Sequence, residues 1–303
     1  MKKAMMTLAL LLTAVTMSAQ LAGVKITPKY QKGDNMLYRS VGTMTVGGEI
    51  VNLTSLNRYY IAEANKDGYV IETVLEKMDN DAKDLTGKIL QLTQGGLKGV
   101  KTVFTADADG KITGIKNFDE VREQATKMVE ELMKALVEEM PEAAGVLPTD
   151  MLKNQITSRI TEEAVVAQVA NSPGPFSLNG KTISTGTMDE SKDDNGRKVK
   201  NMYFLSAPDG SKVKSTTTLN MSKEDMKKMI VEQVKAMMPD QAEMVEQNID
   251  QLMESGMMKM ESTVTADYEF LPNGWLKSLR VVQKQENMGQ STEMNMKTEL
   301  VEE

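Results

Sequence analysis

Asp267 and Glu269 stand two residues apart in a run of strand-forming residues, so both carboxylates face the same way. A pair of carboxyl groups is what a glycosidase uses, one as acid and the other as nucleophile or base. Sugar sites also want flat aromatic surfaces, and the chain has a single tryptophan, Trp275, just past the turn that follows the pair. The pair therefore reads first as a solvated strand face. Ser211 and Lys214 spell S-x-x-K, the spacing that sets a lysine beside a serine nucleophile when the motif opens a helix. Here the motif leaves a turn and enters a strand, which points the two side chains to opposite faces, and neither S-D-N nor K-T-G accompanies it.

Asp107-Ala108-Asp109-Gly110 has oxygens at alternate positions before a glycine, as a calcium loop requires. With Asp109 and Gly110 as the fifth and sixth loop places, Thr105 falls at the first and Lys116 at the twelfth, so the ligand set fails. The stretch from Asp189 to Gly196 fails likewise, with Met202 at its twelfth place. Both read as hairpin turns. The 26 methionines allow three readings: packing in the core, an adaptable apolar binding surface, or thioether sites for Cu(I) at Met237-Met238 and Met257-Met258 with Met260. Most of them fall on apolar helical stripes, which places packing first.

The chain has neither histidine nor cysteine. That removes Ser-His-Asp and Cys-His nucleophiles and the usual zinc and iron ligand sets, and it leaves no disulfide to staple the fold. No cofactor is expected. The balance of 36 basic to 43 acidic residues, with no basic stripe carrying aromatics, argues against nucleic acid as a partner.

Any site must be positioned by strands. Met36 to Val46, Glu49 to Glu63 and Tyr69 to Met78 are rich in Val, Ile, Thr and Tyr and are divided by turn residues. Asp109-Gly110, Asp209-Gly210 and Asn273-Gly274 mark further hairpins, because a tight hairpin turn needs positive φ. Two helical blocks interrupt the strands. In the first, Phe118, Val121, Ala125, Met128, Leu132 and Leu136 form one stripe, and a second helix from Thr149 carries Leu152, Ile156, Ile160, Ala164 and Ala167. The second block has Met226, Met229, Ile230, Val234 and Met237, then Met244, Val245, Ile249 and Leu252. Hairpins at Val103-Phe104 and Tyr203-Phe204, each leading to a helix, suggest a degenerate duplication.

Lys2 and Lys3, the apolar run Leu8 to Val15, and Ser18-Ala19 have the plan of a cleavable export signal covering residues 1–19. No later stretch approaches ~20 consecutive apolar residues, so no transmembrane helix is expected after the signal.

Tyr30-Gln31-Lys32-Gly33-Asp34, the run from Val103 through Leu136, and Pro175-Phe176 leading to Gly180 resemble a family of uncharacterised exported proteins common in Bacteroidetes. The layout is also similar to lipoprotein-carrier half-barrels, a resemblance that implies a curved antiparallel sheet wrapped around helices and sheltering an apolar cavity. It implies no catalytic residues.

The expected fold is α+β, a large curved antiparallel sheet packed against amphipathic helices, with two related halves at 20–171 and 172–303. The expected function is that of a non-catalytic, soluble envelope protein, periplasmic or extracellular, binding an apolar ligand, a lipid or an acylated partner. A structural or assembly protein meeting an envelope partner, and a carboxylate-based enzyme, are the alternatives. The expected lining combines Met226, Met229, Ile230 and Met237 with Tyr268 and Phe270, since methionine helices reshape around a guest.

Overall fold

The computed structural model describes residues 23–46, 48–139, 149–192, 198–220, 260–287 and 290–301, with scattered helical positions between 224 and 249. The expected export signal lies outside the described residues. The first half of the chain gives β1 (Val24–Lys25), β2 (Asn35–Val46), β3 (Glu49–Asn65), β4 (Gly68–Asn80), α1 (Asp84–Gly95), β5 (Lys101–Asp107), β6 (Ile112–Ile115) and α2 (Phe118–Glu139). There follow α3 (Thr149–Ser158), α4 (Glu162–Asn171), β7 (Thr182–Ile183), β8 (Thr187–Lys192), β9 (Lys198–Leu205), β10 (Lys212–Asn220), β11 (Met260–Phe270), β12 (Leu276–Asn287) and β13 (Gln290–Leu300).

Eleven strands form one curved, open antiparallel sheet in the order β6-β5-β4-β3-β2-β13-β12-β11-β10-β9-β8, and β1 pairs with β7 as a separate ribbon. The expected α+β class is the one observed. Strands β2 to β6 meander from the middle of the sheet to one edge, and β8 to β13 return from the other edge to the middle. There β13 lies beside β2, with Met296 opposite Gly42. A Cβ on Gly42 would come within 2.3 Å of the Asn295 carbonyl oxygen, so this seam accepts only a residue without a side chain.

The hairpin glycines do more than turn the chain. Gly110, Gly210 and Gly274 all take positive φ, as their Asp-Gly and Asn-Gly settings require. A Cβ on Gly110 would meet Pro28 at 2.4 Å, one on Gly210 would meet Val24 at 2.9 Å, and one on Gly274 would meet Pro28 at 2.7 Å. Three turns from distant parts of the chain thus pack on the segment 24–29. With the 174–183 stretch, held by Ile26 N–H to the Lys181 carbonyl and Gly180 N–H to the Ile26 carbonyl, that segment plugs one end of the sheet.

The main core lies under this plug. Tyr30 packs on Trp275 with ring centroids 4.3 Å apart, and Phe176 meets Tyr59 at 5.4 Å. Ile61, Ile71, Ala266 and Leu276 fill the space between. Tyr30 and Phe176 come from two of the segments that carry the family resemblance, and the fold brings them together. Trp275, just past its hairpin turn, is fully buried with its ring against Tyr30 and Phe176.

Four described helices cover the same face, but not where the apolar stripes put them. The helix α1 was not expected, since Gly87 and Gly95 interrupt it and its start has no side-chain cap. Leu90 nevertheless anchors it on Val51 and Leu53. In α2 the buried residues are Val121, Ala125, Val129 and Met133, so Met128, Leu132 and Leu136 of the expected stripe flank the buried line rather than form it. The single helix expected from Thr149 is two: the chain breaks at 159–161, and the Thr161 hydroxyl caps α4 by accepting the Ala164 N–H at 3.2 Å. Of the second helical block, Val231 and Ile249 are buried, and Lys235 pairs with Glu246 at 3.5 Å.

Candidate ligand-binding site

Directly opposed residues in an antiparallel ladder project to the same face, so the registers sort the whole sheet. One row, Tyr203, Ser215, Ala266, Val281, Met296, Gly42 and Leu53, runs along the concave face from β9 to β3. The residues one position away face outward. There Lys212, Glu269, Ser278, Glu299 and Arg39 form one row, and Lys214, Asp267, Arg280 and Lys297 another.

This sorting settles the sequence motifs. Glu269 accepts a hydrogen bond from Lys277 at 3.0 Å and lies 3.7 Å from Lys212, and the Lys277 contact first, then the two lysine charges, hold its carboxyl below the usual range. It is an ionised group in a charge ladder, whereas a glycosidase acid has its pKa raised. Asp267 faces Lys214 at 3.9 Å. The Ser211 hydroxyl donates to Asp209 at 2.7 Å, so Ser211 and Lys214 have separate partners. In the 107–110 turn, Asp107 accepts the N–H groups of Asp109 and Lys111, and Asp109 pairs with Lys25 at 2.7 Å. Among the described residues no cluster of carboxylates could hold a metal ion.

Two hollows open on the concave face. The larger, about 380 Å³, has the inner faces of β9, β10 and β11 as its floor, through Val199, Asn201, Tyr203, Ser215, Thr217, Leu219 and Tyr268. Its roof is the end of α4 and the loop after it, with Ala170, Ser172, Pro173, Ser177, Leu178 and Lys181. The smaller, about 260 Å³, lies on β13, β2, β3 and β4 and is lined by Leu53, Leu75, Met78, Met294 and Met296 with Ser40, Ser55 and Asn57. Ser40 is tied to Thr298 at 2.8 Å, and Asn57 donates to Ser55 at 3.3 Å. Thr54 completes the lining, and the hydroxyls of Ser40 and Ser55 are already partnered, so much of the surface left to a guest is apolar.

The larger hollow differs in its chemistry. Lys181 Nζ donates to the Tyr203 hydroxyl at 2.9 Å. Ser177 Oγ donates to the Gly174 carbonyl at 3.0 Å, so the bond at 3.2 Å between Ser177 and Tyr268 has the phenol as donor. Thr217 donates to Asn201 at 2.7 Å. Burial pushes the Tyr203 phenol up to about 12, with the Asp189 charge adding to the effect, and burial also raises Tyr268. Burial lowers Lys181, which Asp189 partly opposes.

Of the residues expected to line a ligand site, Tyr268 lines the larger hollow. Phe270 is buried beside it, its ring stacked on Tyr268 at 5.9 Å and 7°. Met226, Met229, Ile230 and Met237 lie outside the described residues, as do Met238, Met244 and Met253. No motif in the sequence marks Lys181, and only strand pattern marks Met78, Met294 and Met296. Only the parity of Met294 and Met296 on one strand face hinted at their common surface.

No protein-family model matches the chain, and no curated protein matches it. Among solved structures, the chain is similar to a "putative outer membrane lipoprotein-sorting protein domain" from Vibrio parahaemolyticus, at 9% identity and a TM-score of 0.22, over 96% of this chain and 93% of that one. It is also similar to a porin-like protein from Bacteroides uniformis, at 11% identity and a TM-score of 0.21, over 90% of this chain and 98% of that one. Likenesses this distant add nothing to the geometry of the hollows. No helix among the described residues is long and apolar enough to cross a membrane.

Proposed function

We propose that the protein is a non-catalytic binder of an amphiphilic ligand, a lipid or an acylated chain, held against the concave face of its sheet in the cell envelope. The observation that supports this reading is the pair of hollows on one face, the smaller apolar and the larger hydroxyl-lined. Small-molecule sites generally occupy about 300–1,000 Å³. At 260 Å³ the smaller hollow falls short of that range, and at 380 Å³ the larger barely enters it, so each suits one part of a longer guest. Between the hollows the same row passes through Ala266 and Val281, small, apolar and buried, so a guest that reaches from one hollow to the other must displace what covers them. From β10 to β13 is three inter-strand steps, about 14 Å, a span for an acyl chain of medium length. Each methylene buried there contributes about 0.8 kcal/mol at most.

The test is a hydrophobic fluorescent probe titrated into the native full-length chain and then displaced with a fatty acid. Binding and displacement are expected, and Leu75→Trp, which fills the apolar hollow, should weaken the probe at least tenfold while the fold melts near the wild-type temperature. If no probe binds below denaturing conditions, the reading is wrong and a structural role in the envelope replaces it.

A further inference from the structure

We propose that Lys181 anchors an acid group, a carboxylate or a phosphate monoester, in the larger hollow. The inference rests on the amphiphile reading for the rest of the ligand, and it names the chemistry of the head.

The charge balance of the hollow carries it. Among the described residues that line it, Lys181 is the only charged side chain, in a chain whose acidic residues outnumber its basic ones by 43 to 36. Several lysines elsewhere in the fold pair with carboxylates: Lys25 has Asp109 at 2.7 Å, Lys101 has Glu72 at 2.6 Å and Lys153 has Glu130 at 2.6 Å. Lys181 has no carboxylate within ion-pair distance among the described residues, and its one hydrogen-bond partner there is the neutral Tyr203 hydroxyl. An ammonium has three protons to donate, so two remain. Tyr203, whose oxygen accepts from Lys181, keeps its own proton for a second acceptor. Two donors side by side, one of them cationic and partly stripped of water, are what a compact anion recognises.

The hydroxyl and amide lining fits the same guest, since none of it adds negative charge. A ligand with a neutral head would leave the Lys181 ammonium balanced by the charge of Asp189, which lies beyond ion-pair distance, and would gain nothing from it. The ordinary alternative is that Lys181 only fastens the Tyr203 phenol to the roof loop. Under that alternative the head group of a ligand would not matter.

Calorimetric titration of the full-length chain with laurate, dodecyl phosphate, dodecanol and inorganic phosphate separates these cases. Laurate and dodecyl phosphate are expected to bind at least tenfold more tightly than dodecanol, Lys181→Gln to erase that preference, and Lys181→Arg to keep most of it. If laurate and dodecanol bind the wild-type chain alike, the acid anchor is overturned while the amphiphile reading stands, a comparison that needs no variant to fold. If inorganic phosphate binds through Lys181 as tightly as dodecyl phosphate, the anion site stands and the apolar tail does not. If none of the four binds, both fall.

Discussion

The indole N–H of Trp275 donates to Asp34 Oδ2 at 2.8 Å, and the same oxygen accepts the Gln31 N–H at 3.0 Å. One carboxylate therefore fastens the turn before β2 to the turn between β11 and β12, on opposite sides of the central seam.

Asp34→Ala should leave the buried indole donor unpaired and destabilise the fold by roughly 1–3 kcal/mol. Because Trp275 is the only tryptophan, its emission reports this joint without interference. A lower melting temperature with a red-shifted or less uniform emission is expected. An unchanged melt and spectrum would mean that the bond contributes nothing to the joint.

The plug makes a second prediction about two glycines with the same backbone sign. Gly274 has φ +85° and would set a Cβ 2.7 Å from the Pro28 Cα, whereas Gly99 has φ +77° with nothing within 4 Å. Gly99→Ala should cost only the left-handed backbone term, about 1–2 kcal/mol. Gly274→Ala adds a backbone clash and should cost clearly more in urea unfolding, with the plug opening first. Equal losses for the two variants would show that the contact with Pro28 yields easily.

Alkaline stability follows from the buried phenols. Burial raises Tyr59 and Tyr203 to about 12 from an ordinary value of 10.0, and raises Tyr30, Tyr38 and Tyr268 as well. A phenol whose folded pKa lies above its unfolded value contributes stability that is whole below pH 10 and is lost as pH rises toward 12. Unfolding should thus set in within that window, together with the phenolate absorbance. Gradual ionisation from pH 10 with the fold intact would contradict the burial of these rings.

At the acid end, Asp81 accepts the Asn52 backbone N–H at 2.6 Å and the Asn52 side chain at 2.5 Å, and these bonds hold its carboxyl below the usual range. Its contribution is present above the unfolded value and is lost as pH falls through the folded one. A carbon-detected titration of Asp81 should show the low midpoint, and Asn52→Ala should return it toward 3.8.

The local chemistry of this fold was legible and the distant contacts were not. Asn273-Gly274, Asp109-Gly110 and Asp209-Gly210 announced their hairpins, because positive φ is a demand that two adjacent residues express. That all three turns would rest on Val24 and Pro28 was written nowhere in them. Helix α1 was invisible because its twelve residues hold Gly87 and Gly95 and its stability comes from Leu90 meeting Val51 and Leu53. The break at 159–161 was hidden by a stripe that continues through it, although Thr161 before Glu162-Glu163 is a cap signal. Of the candidate site, Tyr268 was reached by pattern. Lys181 acquires its meaning only when the roof loop folds over Tyr203, and no spacing encodes that approach.

The pairing of β13 with β2 also dictates when the protein can exist. Every other ladder in the large sheet joins strands that follow each other along the chain, so both meanders are able to form as they are made. The seam at Gly42 must wait for the strand synthesised after all the others, across the longest loop the sheet contains. Until β13 arrives, β2 and β12 each present an unpaired edge, open to a chaperone and equally to a wrong partner.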